Sequence, residues 1–267
     1  MNSVNVVERD GQAVVVGANF AEVFRTKSFF HWLVRGCSEL FTQMPSVLRN
    51  ENRIGRYYRR DPKAISFACR DINAKCFDPA FWTGMENLDY SFSVVADLGC
   101  GSGERLIQLA ERYPGTKGIG LDNAGPSLET AASDVAAAGL TDRITFGELD
   151  VRSMAPRQEF DEVDLLTCFM MGHDFWPRES CVATLRRLRE LFPNARRMLL
   201  GDKTRTVGVP DGEQEIFTLG FEVAHAMMNV YIPTLEEWEG VFGDGGWKCV
   251  RKTTVQGLAS SVVFELE

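Results

Sequence analysis

The 267-residue chain has no surplus of positive charge: 29 Lys and Arg stand against 37 Asp and Glu, for a formal net charge of −8. Without a basic excess it is a poor match for a nucleic-acid partner, which needs a positive face to meet phosphates. It has no apolar run approaching the length of a membrane span. Its first residues lack the charged-then-apolar order of an export signal. The expectation is a cytoplasmic protein with a small-molecule partner and neither a membrane nor a nucleic-acid role. No C-x-x-C pair occurs among the seven cysteines (Cys37, Cys69, Cys76, Cys100, Cys168, Cys181, Cys249), and their number is odd. Buried free thiols in a reducing compartment are the reading that fits. Repeats and low-complexity tracts are absent, and histidine is scarce, with only His31, His173 and His225. What remains is an ordinary globular composition, 45% hydrophobic and 25% charged, enough for one large core or one and a half domains.

The organising stretch is Val94-Val95-Ala96-Asp97-Leu98-Gly99-Cys100-Gly101-Ser102-Gly103-Glu104. It reads as a short apolar strand, a glycine-rich turn and a helix opening near Glu104. Glycines at alternate positions let the backbone turn sharply and approach a ligand without Cβ atoms in the way. The unpaired N–H groups of the following helix point into the same crevice. The Gly99-x-Gly101-x-Gly103 spacing differs from the G-x-G-x-x-G of dinucleotide enzymes. Further strands follow at Gly118–Leu121, Ile144–Leu149 and Val163–Cys168, ending at Asp122-Asn123, at Asp150-Val151 and at Phe169.

With Asp97 two residues before the first glycine and acidic strand ends in this order, the chain resembles the class I S-adenosylmethionine (SAM)-dependent methyltransferases. The resemblance implies an α/β fold: a Rossmann-like seven-stranded sheet preceded by a helical segment. It also implies SAM contacts at Asp97, Gly99, Gly101, Gly103, Asp122, Asn123, Asp150, Val151 and Phe169. In such a site Asp122 would hold the ribose hydroxyls, the Asp150-Val151 end would meet the adenine, and Asp97 and Glu104 would lie near the methionine part. An aspartate at a strand end also commonly caps the next helix. Cys100 reads simply as a small residue that fits the turn.

Residues 1–91 are mostly helical. Apolar residues recur at helical spacing from Phe20 to Leu40, and Asp61-Pro62 signals a helix running to Ile72. In the family such segments form a lid or build the substrate cavity. This one is too short for the longer dimerisation domain of many relatives, which leaves the oligomeric state open. The arginines at 53, 56, 59 and 60 read as a solvated face, from which one could reach a substrate carboxylate as a bidentate clamp; Tyr58 and Arg59 are candidates for the substrate side. Residues 92–267 form the SAM-binding body. It has an amphipathic helix over Glu179–Phe192, a fifth strand at Met198–Asp202 and an active-site insert at about 203–233 carrying a helix from Glu213 to Val230. Thr234 caps a helix over Leu235–Phe242, and a closing strand pair lies near Trp247–Val250 and Ser261–Glu265.

His31 sits among Phe29, Phe30, Trp32 and Leu33 and reads as a packing residue. His173 follows the fourth strand, at the sheet edge where open α/β folds bind ligands, and is expected to face the donated methyl group. His225 shares the apolar face of its helix with Phe221 and Met228, a position usually held by a satisfied core histidine. Gly172-His173-Asp174 and Phe221-Glu222-Val223-Ala224-His225 together resemble a subgroup of C-methyltransferases acting on 2-oxo acids, the phenylpyruvate and 2-ketoarginine methyltransferase type. The resemblance implies a secondary-metabolite enzyme in which His173 and His225 hold a divalent metal. Two neutral imidazoles with a carboxylate from Asp174 or Asp202 suit Fe(II) or Zn(II). Catalytic roles then fall to His173, Asp174 and His225, with Phe175, Trp176, Phe217 and Phe221 around the substrate. Two alternatives stand beside this: a metal-free O-, N- or C-methyltransferase with His173 as general base, and a SAM-fold protein that binds without catalysing.

Overall fold

The computed structural model describes residues 4–53 and 60–267, the side chain of Asp211 excepted. The chain opens with an antiparallel hairpin, β1 (Val7–Asp10) and β2 (Ala13–Val16), whose valines at 14–16 are exposed. Helix α1 (Phe20–Phe30) passes into a π-helical turn over His31–Gly36, then the short α2 (Ser38–Thr42) and α3 (Met44–Val47). Helix α4 (Pro62–Ile72) starts where its sequence demands. Proline fills the first helical position, and the Asp61 carboxylate accepts the Ala64 N–H at 3.0 Å. A π-helical stretch, Asn73–Phe77, joins it to α5 (Asp78–Glu86).

The body alternates strands and helices: β3 (Val94–Leu98), α6 (Glu104–Arg112), β4 (Lys117–Asp122), α7 (Gly125–Ala137), β5 (Ile144–Glu148), β6 (Leu165–Phe169), α8 (Arg178–Leu191) and β7 (Arg197–Lys203). The insert carries α9 (Ile216–Met227), and α10 (Leu235–Phe242) leads into β8 (Cys249–Thr254) and β9 (Ser261–Leu266). One sheet of seven strands results, in the order β5-β4-β3-β6-β7-β9-β8. The first five are parallel and β9 is antiparallel to both its neighbours. The central strands β3, β6 and β7 are buried at every residue, as expected of a parallel sheet covered on both faces.

Two apolar clusters fill the two faces. One joins Trp32, Phe77, Phe81, Leu199 and Phe221 from the N-terminal helices, β7 and α9. The other joins Phe160, Leu185, Phe192, Trp238 and Phe264 around α8 and α10. The N-terminal helices therefore share a core with the sheet. The α10 start follows its sequence signal closely: Thr234 Oγ1 accepts the Glu237 N–H at 3.1 Å and the Glu237 carboxylate accepts the Thr234 N–H at 2.7 Å. The strand expected from Val163 begins at Leu165, and Asp164 explains the difference. Its carboxylate accepts the N–H groups of Ser93 and Val94 at 2.8 and 3.2 Å, which ties off the start of β3. Because β4 lies on one side of β3 and β6 on the other, the chain order reverses there and opens a crevice at the carboxyl ends of these strands.

Candidate active site

The crevice is built first by the turn after β3. Gly99, Gly101 and Gly103 have φ of 72°, 54° and 72°, a left-handed backbone that other residues adopt only under strain. A Cβ on Gly99 would lie 2.8 Å from Met171 Cγ, whereas one on Gly101 would meet nothing within 4 Å. Gly99 is thus needed for packing, and Gly101 keeps a face of open space. Asp122 pins the turn from the next strand. One carboxylate oxygen accepts the Gly101 N–H and the other the Ala124 N–H, each at 2.9 Å. Asp97 is buried and accepts the Thr167 hydroxyl at 2.6 Å; burial raises its carboxyl to about 6, against the pull of Arg105. Burial and the nearby carboxylates of Asp97 and Asp122 push the Cys100 thiol far up, which leaves it unreactive.

A cavity of about 820 Å3 lies over this turn, within the range of small-molecule sites. Asp97, Gly101, Asp122, Asn123 and Phe169 line its sheet side, and Arg60, Ile65, Cys69, Arg70, Asn73 and Asp78 its N-terminal side. Helix α4 is fastened across the turn by Arg70, which donates to Ser102 Oγ at 3.1 Å and to the Asp134 carboxylate. Arg105, 7% exposed, also lines the cavity. It donates to Asp78 at 3.1 Å, and its guanidinium lies 3.8 Å from the Phe169 ring centroid.

His173 sits in a 3-10 turn, Gly172–Phe175, and is buried. Asp202, at the end of β7 and 0% exposed, holds it twice: one oxygen accepts the His173 backbone N–H at 2.6 Å, and the other lies 2.8 Å from Nδ1. The second oxygen also accepts the Lys203 N–H at 2.8 Å. His225 is buried on α9 with Nδ1 2.7 Å from the Phe221 carbonyl. Each Nδ1 therefore carries the proton toward its oxygen, and each Nε2 carries the lone pair. The two rings are neighbours, with centroids 4.8 Å apart and planes at 88°. Nε2 of His225 is buried with no hydrogen-bond partner. Burial, then His173 and Arg60, hold His225 well below the ordinary range, so it is neutral. Burial also works against protonating His173, but the Asp202 carboxylate outweighs it and the net shift is upward.

Several expectations are corrected. His173, expected to face the donated methyl group, and His225 are both buried and neither belongs to the cavity lining, where Met170, Met171, Met227 and Met228 stand instead. A carboxylate ligand beside the two histidines is not found: among the described residues no three His, Cys, Asp or Glu side chains come together as a metal site. Asp202 orients His173, and Asp174 lines the cavity. Asp150 and Val151 are outside the lining; Arg152 grips Asp150 through Nε at 3.0 Å and Nη2 at 2.8 Å. Phe175 is 0% exposed in the sheet core, and Trp176 packs on Trp238 and Tyr231. Phe221 is buried with its ring 4.0 Å from that of His225. Tyr58 and Arg59 lie outside the described residues, whereas Arg60 lines the cavity. His31 is half-buried, with its ring 5.2 Å from that of the exposed Phe67. The sequence reading missed Arg105, Asp78, Gln108 and the four methionines, since nothing in local spacing links residues 78 and 105.

A methyltransferase-domain family matches residues 95–193. A methyltransferase named ungE′ from Aspergillus campestris is 56% identical over 272 residues, covering 99% of this chain and 80% of the relative. An indolepyruvate C-methyltransferase from Streptomyces griseus is 33% identical over 177 residues, covering 65% of this chain and 51% of that protein. Among solved structures, the mitomycin 7-O-methyltransferase MmcR superposes with a TM-score of 0.68 at 19% identity, covering 99% of this chain and 80% of its own, a likeness of fold.

Proposed function

The chain belongs to the SAM-dependent methyltransferases, and on that premise we propose that it methylates the carbon beside the keto group of a small 2-oxo acid. The observation that carries this reading is the buried histidine pair with the unpartnered Nε2 of His225. A buried imidazole nitrogen without a partner costs stability unless something fills the place. Support comes also from the relative named for C-methylation of indolepyruvate, a 2-oxo acid.

The donor chemistry of the pair suits a divalent metal. Both rings present Nε2 lone pairs, both Nδ1 protons are fixed by oxygen acceptors in the manner of metal-bound histidines, and His225 is neutral. His173 and His225 would hold the ion, with substrate oxygens or water completing its shell. Such an ion supplies Lewis-acid stabilisation of negative charge on the keto oxygen. Asp202 keeps His173 in its tautomer. Arg60, on the cavity wall, can take the substrate carboxylate through its planar fork. The N-terminal segment would act as a lid: α4 and the turn into α5 line one side of the cavity, and Arg70 ties α4 to Ser102 in the glycine turn. Asp122 holds the turn on which the methyl donor would rest.

The test is exchange of the proton beside the keto group. With a 2-oxo acid in deuterated buffer and SAM absent, NMR should show exchange that depends on the protein, falls with chelator and is lost in His225→Ala. Chelator-insensitive exchange by metal-free protein would sink the metal. A second reading is favoured by the His173–Asp202 contact: Nε2 of His173 serves as general base in a metal-free methyl transfer, with Asp202 stabilising the imidazolium. Metal analysis of the purified protein separates the two.

A further inference from the structure

Strand β7 ends on two buried polar side chains in a row, Asp202 and Lys203, and successive strand residues point to opposite faces of a sheet. Asp202 holds His173. Lys203 reaches the helix that carries the other histidine. Its Nζ donates to Thr218 Oγ1 on α9 at 3.1 Å and to the Ala259 carbonyl, in the turn before β9, at 2.5 Å. The Phe221 ring centroid lies 5.9 Å from the same nitrogen. Thr218, Phe221 and His225 follow one another at spacings of three and four, so they form one stripe along α9. The stripe is continuous: the Phe221 carbonyl meets His225 Nδ1 at 2.7 Å, and the two ring centroids are 4.0 Å apart. Thr218 is itself buried, so its hydroxyl meets the ammonium away from water.

A fully buried ammonium is a poor device for stability. An unbranched apolar side chain of similar length would fill the same place with no desolvation cost. What the ammonium adds is direction. Phe217, Phe221, Ala224 and Met227 bury the inner face of α9, and apolar contact of that kind is non-directional; it tolerates a small rotation or slide of the helix. A hydrogen bond from the strand to Thr218 does not. We infer that Lys203 is a positioning residue for the histidine pair: by fixing Thr218 it sets the rotation of α9, and so the place of the His225 ring beside that of His173. Two neighbouring residues of one strand then determine both halves of the pair, Asp202 by direct contact and Lys203 through the helix. The role in methyl transfer rests on the histidine-pair reading above, and it falls to a residue outside the cavity lining.

The test is NMR on the full chain with isotope-labelled histidine, in which only three imidazoles need assignment. In wild type, with ring centroids 4.8 Å apart, the ring protons of His173 and His225 should show a nuclear Overhauser contact, and the hydrogen-bonded Nδ1 proton of His225 should exchange slowly. Lys203→Met and Thr218→Val remove the same hydrogen bond from its two ends. Each should weaken the ring contact roughly twofold or more and speed the Nδ1 exchange, and the double variant should add little to either single one. In both, kcat for methyl transfer to a 2-oxo acid should fall roughly tenfold with the KM for SAM unchanged, because a small misplacement of a reacting group is costly. A shifted melting temperature with wild-type imidazole signals and wild-type kcat in both folded variants would make the lysine merely structural and overturn the inference. Imidazole signals that respond to both substitutions, in a wild type that methylates no 2-oxo acid, would overturn the 2-oxo acid reading and leave the positioning role standing.

Discussion

Asp202→Asn is the most informative single change, because it preserves shape and removes one acceptor. In the wild type the two carboxylate oxygens accept three N–H groups, from the backbone of His173, its Nδ1 and the backbone of Lys203. An asparagine offers one acceptor oxygen and one NH2. If the oxygen keeps Nδ1 and Lys203, the NH2 faces the His173 backbone N–H, donor against donor. If the amide flips, the NH2 faces Nδ1, and the imidazole must move its proton to Nε2, losing the lone pair both readings of the site require. Either arrangement leaves a buried donor unsatisfied at a residue with 0% exposure, which costs about 2–3 kcal/mol of stability. Turnover should fall roughly 10- to 100-fold, the usual effect of losing an orienting partner. SAM affinity should hardly change, since Asp202 does not line the cavity. The assays are methyl transfer to a 2-oxo acid, calorimetric SAM binding and urea unfolding. If the reaction runs through His173 as a base, the acid limb of kcat/KM should also move to lower pH, because the carboxylate that raises the imidazole is gone. Full turnover in a folded Asp202→Asn protein would refute the orienting role.

Gly101→Val should abolish SAM binding, since its side chain would enter the open space before the turn and strain a backbone at φ 54°; Asp122→Ala should weaken binding by about 1.5–3 kcal/mol by freeing the Gly101 N–H, both read by calorimetry. Limited proteolysis should cut the N-terminal segment more slowly when SAM is present, and equal rates with and without it would contradict the lid. Lys203 is 0% exposed, with Nζ donating to Thr218 Oγ1 and the Ala259 carbonyl, and burial lowers it from 10.5 to about 8. Between those pH values the unfolded chain binds the extra proton, so wild-type stability should gain on Lys203→Met as pH rises from about 8 to 10.5. The gain should be roughly 3 kcal/mol, and a pH-independent difference between the two unfolding curves would contradict it.

What the sequence determined by itself was whatever depends on neighbours along the chain. The glycine turn, the Asp61-Pro62 and Thr234 helix starts and the mostly apolar strands β3 and, apart from its first residues, β6 are set by backbone freedom, capping and burial over a few residues, and they suffice for the fold and the methyl-donor crevice. The paired histidines were legible only through resemblance, since 52 positions separate them. Tertiary structure decided the rest. Asp202 became the partner of His173 because β7 lies beside β6 in a register that puts Gly201 opposite Phe169, so both strand ends open at the same level. Packing of α9 against Trp32 turned His225 inward and left its Nε2 without a partner. Docking of the N-terminal helices brought Asp78 to Arg105 across 27 residues, and with it a polar wall of the cavity. Such pairings depend on how separate elements come to rest on one another, and spacing along the chain carries no record of that.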